Sequence, residues 1–97
     1  MANLLNVFQP VQRIVQTGTA DDDIMTGSTG TDTLDGNDGH DSIEGLAGDD
    51  VLIGGNGQDT VYAGPGNDQI WAGSGDAIGP YSNDYFYGEN GNDTLFG

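Results

Sequence analysis

At 97 residues this chain has room for one small domain, close to the lower limit for a self-sufficient core. Its 16 acidic side chains stand against a single base, Arg13, for a formal net charge of −15, a balance that argues against nucleic acid and anionic membrane, both of which need basic patches. There is no cysteine to form a disulfide, and no apolar run reaches the roughly 18 residues that a membrane-spanning helix needs. The first element in chain order is residues 1–17. They contain no glycine and carry Leu4, Leu5, Val7, Phe8, Val11, Ile14 and Val15 around Pro10. Without a basic leader region they do not read as a secretory signal peptide. They are expected to form an extended N-terminal capping segment over the open end of residues 18–97.

From Gly18 onward one nine-residue phrase recurs, Gly-x-x-Gly-x-Asp-x-apolar-x, with Gly54–Tyr62 as its clearest copy. Units open at Gly18, Gly27, Gly36, Gly45, Gly54, Ala63, Ala72 and Gly88, and Gly97 would open another. The unit opened by Ala72 is 16 residues long, which places a seven-residue insertion within 76–83. Position 6 is Asp23, Asp32, Asp41, Asp50, Asp59, Asp68, Asp84 and Asp93; position 8 is Met25, Leu34, Ile43, Leu52, Val61, Ile70, Phe86 and Leu95. Each unit therefore predicts a six-residue glycine-rich turn and a three-residue strand whose middle side chain points inward. Two units complete one coil of 18 residues, and turns on the same edge stack at about 4.8 Å.

Such a core is thin, and the rows of carboxylates repel one another. Oxygen-preferring divalent cations are the candidate stabiliser. Tight turns aim several carbonyls into one concavity, and the closing Asp adds charge. No catalytic constellation accompanies them, so the chain is not expected to be an enzyme. His40 is the single histidine, expected to be solvent-exposed, and the serines have no partner base.

The repeat resembles the RTX (hemolysin-type) calcium-binding nonapeptide, Gly-Gly-x-Gly-x-Asp-x-apolar-x, over residues 18–97. The resemblance implies an all-β, right-handed parallel β-roll, a β-solenoid with two sheets of short strands, holding several Ca2+ ions, up to about six. In the family's sites one turn gives the carbonyls of positions 2 and 4 and its Asp, and the turn two units on gives those of positions 1 and 3 and its Asp. On one edge this implies Thr19, Asp21 and Asp23 with Gly36, Asp38 and Asp41. Next come Asn37, Gly39 and Asp41 with Gly54, Asn56 and Asp59, then Gly55, Gly57 and Asp59 with Ala72, Ser74 and Asp84. On the other edge it implies Ser28, Gly30 and Asp32 with Gly45, Ala47 and Asp50. Beyond these stand Leu46, Gly48 and Asp50 with Ala63, Pro65 and Asp68, and Gly64, Gly66 and Asp68 with Gly88, Asn90 and Asp93. Two features depart from the pattern. Asp21 stands at a glycine position, so the first turn is expected to be distorted, and Asp76 competes with Asp84 in the long unit.

Positions 7 and 9 of each unit are expected to face outward. Val51, Ile53, Trp71 and Phe96 then form an apolar face open to self-association or to a neighbouring domain. The resemblance implies a module that folds on binding Ca2+ in the extracellular space, structural in role, within a bacterial protein secreted by the type I route. Two other roles stay open: a self-assembling or adhesive surface component stacking through open solenoid ends, and an accessory module of a secreted polysaccharide-modifying enzyme or protease. An array that stops uncapped after Phe96 is expected of a fragment of a longer protein, or of chains that stack head to tail.

Overall fold

A computed structural model of the chain describes residues 13–71 and 85–96. Most of the N-terminal segment, the insertion and the site residues Ala72, Ser74 and Asp84 lie outside the described residues. Nine three-residue strands are described: β1 Val15–Thr17, β2 Ile24–Thr26, β3 Thr33–Asp35, β4 Ser42–Glu44, β5 Val51–Ile53, β6 Thr60–Tyr62, β7 Gln69–Trp71, β8 Tyr85–Tyr87 and β9 Thr94–Phe96. Every strand pairs in parallel with the strand two along. This gives one sheet ordered β1-β3-β5-β7-β9 and a second ordered β2-β4-β6-β8. The architecture is the parallel β-roll that the resemblance implies.

Register follows the repeat. Leu34 sits beside Leu52, and Leu52 beside Ile70. Beyond the insertion the phase is kept, with Val61 beside Phe86 and Ile70 beside Leu95. The position-8 side chains Met25, Leu34, Ile43, Leu52, Val61 and Ile70 meet between the two sheets as one buried core, with Ile14 and Phe86 packed partly against it. Leu95 departs from its column and is 52% exposed, because β9 has a neighbour on one side only. Outward side chains form cross-strand stacks. Tyr62 and Tyr87 lie 4.8 Å apart and nearly parallel, and Trp71 and Phe96 lie 3.9 Å apart. Ile53, Trp71 and Phe96 share one row, whereas Val51 stands in the neighbouring row beside Gln69, so the expected apolar face divides into two lines.

β1 adds a rung that has the repeat's phase and none of its residues. Val15–Thr17 pairs with Thr33–Asp35, which places Ile14 where later coils have the Asp. The Ile14 amide still donates to Asp32 Oδ1 at 2.8 Å, and its carbonyl accepts from Thr33. The main chain keeps the ladder although the carboxylate is gone.

Candidate metal centre

Each described position-6 Asp is placed by the strand next along the chain, and together they line two rows along the edges of the roll. One oxygen is used to join coils. Asp41 Oδ1 accepts the Asp23 amide at 2.8 Å, and Asp59 Oδ1 accepts that of Asp41 at 2.9 Å. On the other edge Asp50 Oδ1 accepts from Asp32 and Asp68 Oδ1 from Asp50, each at 2.8 Å, while Asp93 Oδ1 accepts from Asp68 at 3.0 Å. The second oxygen is different. Oδ2 of Asp41, Asp50 and Asp68 is buried and accepts no hydrogen bond from the protein. A buried charged acceptor without a donor is costly and calls for a partner.

The surroundings indicate what that partner is. A Cβ placed on Gly45 would lie 2.6 Å from Asp50 Oδ2 and 2.7 Å from the Ala63 carbonyl oxygen. The same point over Gly36 falls against Asp41 Oδ2 and the Gly54 carbonyl oxygen. A carboxylate of one turn and the position-1 carbonyl two turns on therefore converge where the glycine leaves room. Such a set contains acceptors alone, which suits a hard cation and no hydrogen-bond donor. Among the described residues no three imidazole or carboxylate groups come together, so a cation here draws its further ligands from main-chain carbonyls.

Those carbonyls stack as the repeat requires. A Cβ on Gly39 would press on the Asp21 carbonyl, one on Gly48 on that of Gly30, and one on Gly64 on that of Leu46. Gly55, Gly57, Gly66 and Gly91 stand likewise over Asn37, Gly39, Gly48 and Gly66. Among the described residues, three carbonyls of the implied ligand sets also accept main-chain bonds: Asn37 from Asn56 at 2.7 Å, Pro65 from Gly48 at 3.1 Å, and Asn90 from Gly66 at 3.0 Å. A carbonyl oxygen has two lone pairs, so one remains on each. Asp38 and Asn56 meet through their side chains at 2.9 Å. The turns opened by Gly36, Gly45 and Gly88 put Asn37, Leu46 and Glu89 at φ of 77°, 69° and 65°, the left-handed region that glycine occupies at Gly55 and Gly64. No positive φ occurs in the two turns before them, where Thr19 and Ser28 hold that position.

Burial pushes the carboxyl of Asp50 up to about 7, opposed by the Asp32 amide and reinforced by the charges of Asp32 and Asp68. It raises Asp41 and Asp68 in the same way. A second column of acceptors escaped the motif. At position 5, Asp22 Oδ1 accepts the His40 amide and His40 Nδ1 accepts the Gln58 amide, each at 2.8 Å. Opposite, Asp49 Oδ1 accepts from Asn67 at 2.9 Å and Asn67 Oδ1 from Asn92 at 3.0 Å. His40 is exposed as expected, and it also takes part in this ladder.

A parallel β-roll whose stacked turns align carboxylates with carbonyls is the architecture of a cation-binding structural repeat. The family model for the RTX calcium-binding nonapeptide repeat (four copies) matches residues 17–52, 44–78 and 81–97, and the chain belongs to that family. No curated protein and no solved structure matches the chain.

Proposed function

We propose that this chain is a calcium-dependent folding and scaffolding module of a secreted bacterial protein, loose at the low calcium of the cell interior and closed into its roll outside. The buried, donor-free Oδ2 of Asp41, Asp50 and Asp68 supports this most directly. Bound calcium supplies the positive charge that offsets paired carboxylates on neighbouring coils. On one edge Asp41 and Asp59 would hold it with the carbonyls of Asn37, Gly39, Gly54 and Asn56. On the other, Asp50 and Asp68 would do so with Leu46, Gly48, Ala63 and Pro65, and Asp68 and Asp93 with Gly64, Gly66, Gly88 and Asn90. Residues 1–17 would close one end of the array. Extracellular modules bind calcium at about 10⁻⁴–10⁻³ M, so binding free energy becomes folding free energy on export. Far-UV circular dichroism through a calcium titration, reversed with EDTA, tests this. A coil signal without metal and a β signal with it are expected, and a β signal indifferent to EDTA would refute the proposal.

The outward row of half-buried Ile53 with exposed Trp71 and Phe96 supports a second role, contact with a neighbouring domain or another copy. Sedimentation velocity with and without calcium separates the two, since a monomer under both conditions leaves the row without a partner of its own kind.

A further inference from the structure

We infer that Thr19 and Ser28 take the cation's place on the first coil, so that its two turns close without calcium and metal occupancy begins at the turn opened by Gly36. This rests on the calcium proposal above and divides its sites.

The glycines Gly18, Gly27, Gly36 and Gly45 build four pockets on one plan. Over each, the Oδ2 of the same turn's Asp meets the position-1 carbonyl two turns on. What differs is the donor. In the first turn the Thr19 amide donates to Asp23 Oδ2 at 2.6 Å, and its hydroxyl lies 3.0 and 3.1 Å from the two carboxylate oxygens. In the second, the Ser28 amide donates to Asp32 Oδ2 at 2.5 Å and its hydroxyl to Oδ1 at 2.9 Å. Both hydroxyls in turn accept an amide two residues on, from Asp21 and Gly30, each at 3.1 Å. With the Ile14 amide on Oδ1 as well, fully buried Asp32 has both oxygens satisfied by protein donors. In the next two pockets Asn37 and Leu46 adopt left-handed φ. The Asn37 amide goes instead to Asp35 Oδ1 at 3.1 Å, and Asp41 Oδ2 is left without a donor.

The chemistry explains the exchange. A β-branched Thr resists the left-handed region, and Ser or Thr hydroxyls favour short bonds to nearby backbone. Both keep the position-2 amide aimed at the carboxylate, where its positive end stands against a cation. A charge-assisted N–H bond then does locally what the ion does elsewhere. The first coil becomes a metal-independent template on which calcium-bound coils stack.

Ions per chain, counted by native mass spectrometry at saturating calcium, test the division. Ser28→Gly restores the consensus turn and is expected to bind one ion more than wild type, and adding Asp32→Asn to it should remove that ion. Asp32→Asn alone keeps the wild-type count, whereas Asp50→Asn lowers it. Equal counts in wild type and Ser28→Gly, or an ion lost with Asp32→Asn alone, overturn the inference and leave the calcium proposal standing. A wild-type chain that binds no ion overturns both. If Asp50→Asn does not fold, the Ser28→Gly comparison decides alone.

Discussion

Gly57 shows what a single methyl would do to a stacked turn. Its φ is +118°, and a Cβ there would collide with the Gly39 carbonyl oxygen of the turn beneath. Backbone faces backbone, so no flexible side chain can yield. Gly57→Ala is expected to cost about 1–3 kcal/mol, read as a fall in melting temperature at saturating calcium. His40 makes a gentler case. Removing the acceptor of the Gln58 amide with His40→Ala should cost about 1 kcal/mol in calcium-saturated denaturant unfolding. His40→Asn should restore most of that, because Asn67 does the same task on the opposite edge. Equal losses in both variants would show that packing, not acceptance, is what matters there. This column was not legible in the sequence for a physical reason. Asp22, His40, Asp49 and Asn67 share an acceptor at one reach but not one residue type, so no single residue marks the column.

Strands of three residues are too short to hold alone, and their register comes from the turns on either side. That is why the period was enough to place β2 to β9, including β8 and β9 beyond the insertion: Asp and the apolar residue two places later stay in phase even where glycine is lost. β1 was harder to see. Ile14 replaces the Asp and Gln16 the apolar residue, so only the ladder, with Val15 opposite Thr33, reveals the rung. The turns of Thr19 and Ser28 were hidden differently, since a motif that tolerates any residue at position 2 cannot show that a hydroxyl there redirects the amide. Between strands, the Trp71–Phe96 stack should add about 0.5–1.5 kcal/mol beyond simple burial. Trp71→Ala is therefore expected to raise the calcium midpoint of folding. As the single tryptophan, Trp71 should also report coil stacking through a fluorescence change on calcium addition. Fluorescence unchanged while the β signal grows would place the stack outside the folding transition.

With calcium held as proposed, protons would compete with it for the same rows of carboxylates, and this sets the expected response of the roll to pH. The carboxyl of Asp50 is raised from 3.8 to about 7, chiefly by burial, and Asp41 and Asp68 are raised with it. A carboxylic acid whose pKa is higher in the fold than in the open chain stabilises the fold while it is protonated. That contribution is complete below 3.8 and is lost as pH rises through about 7. In EDTA, then, acidification from about pH 8 to about pH 5 is expected to increase the β signal, the reverse of ordinary acid unfolding. With calcium present the direction inverts, because the ion requires the ionised form and must displace the proton. Its midpoint concentration should rise over the same interval. Far-UV circular dichroism as a function of pH, recorded once in EDTA and once at fixed sub-saturating calcium, should give curves of opposite slope. Parallel curves would mean that the buried carboxylates do not hold the ion, since a cation bound elsewhere has no proton to displace.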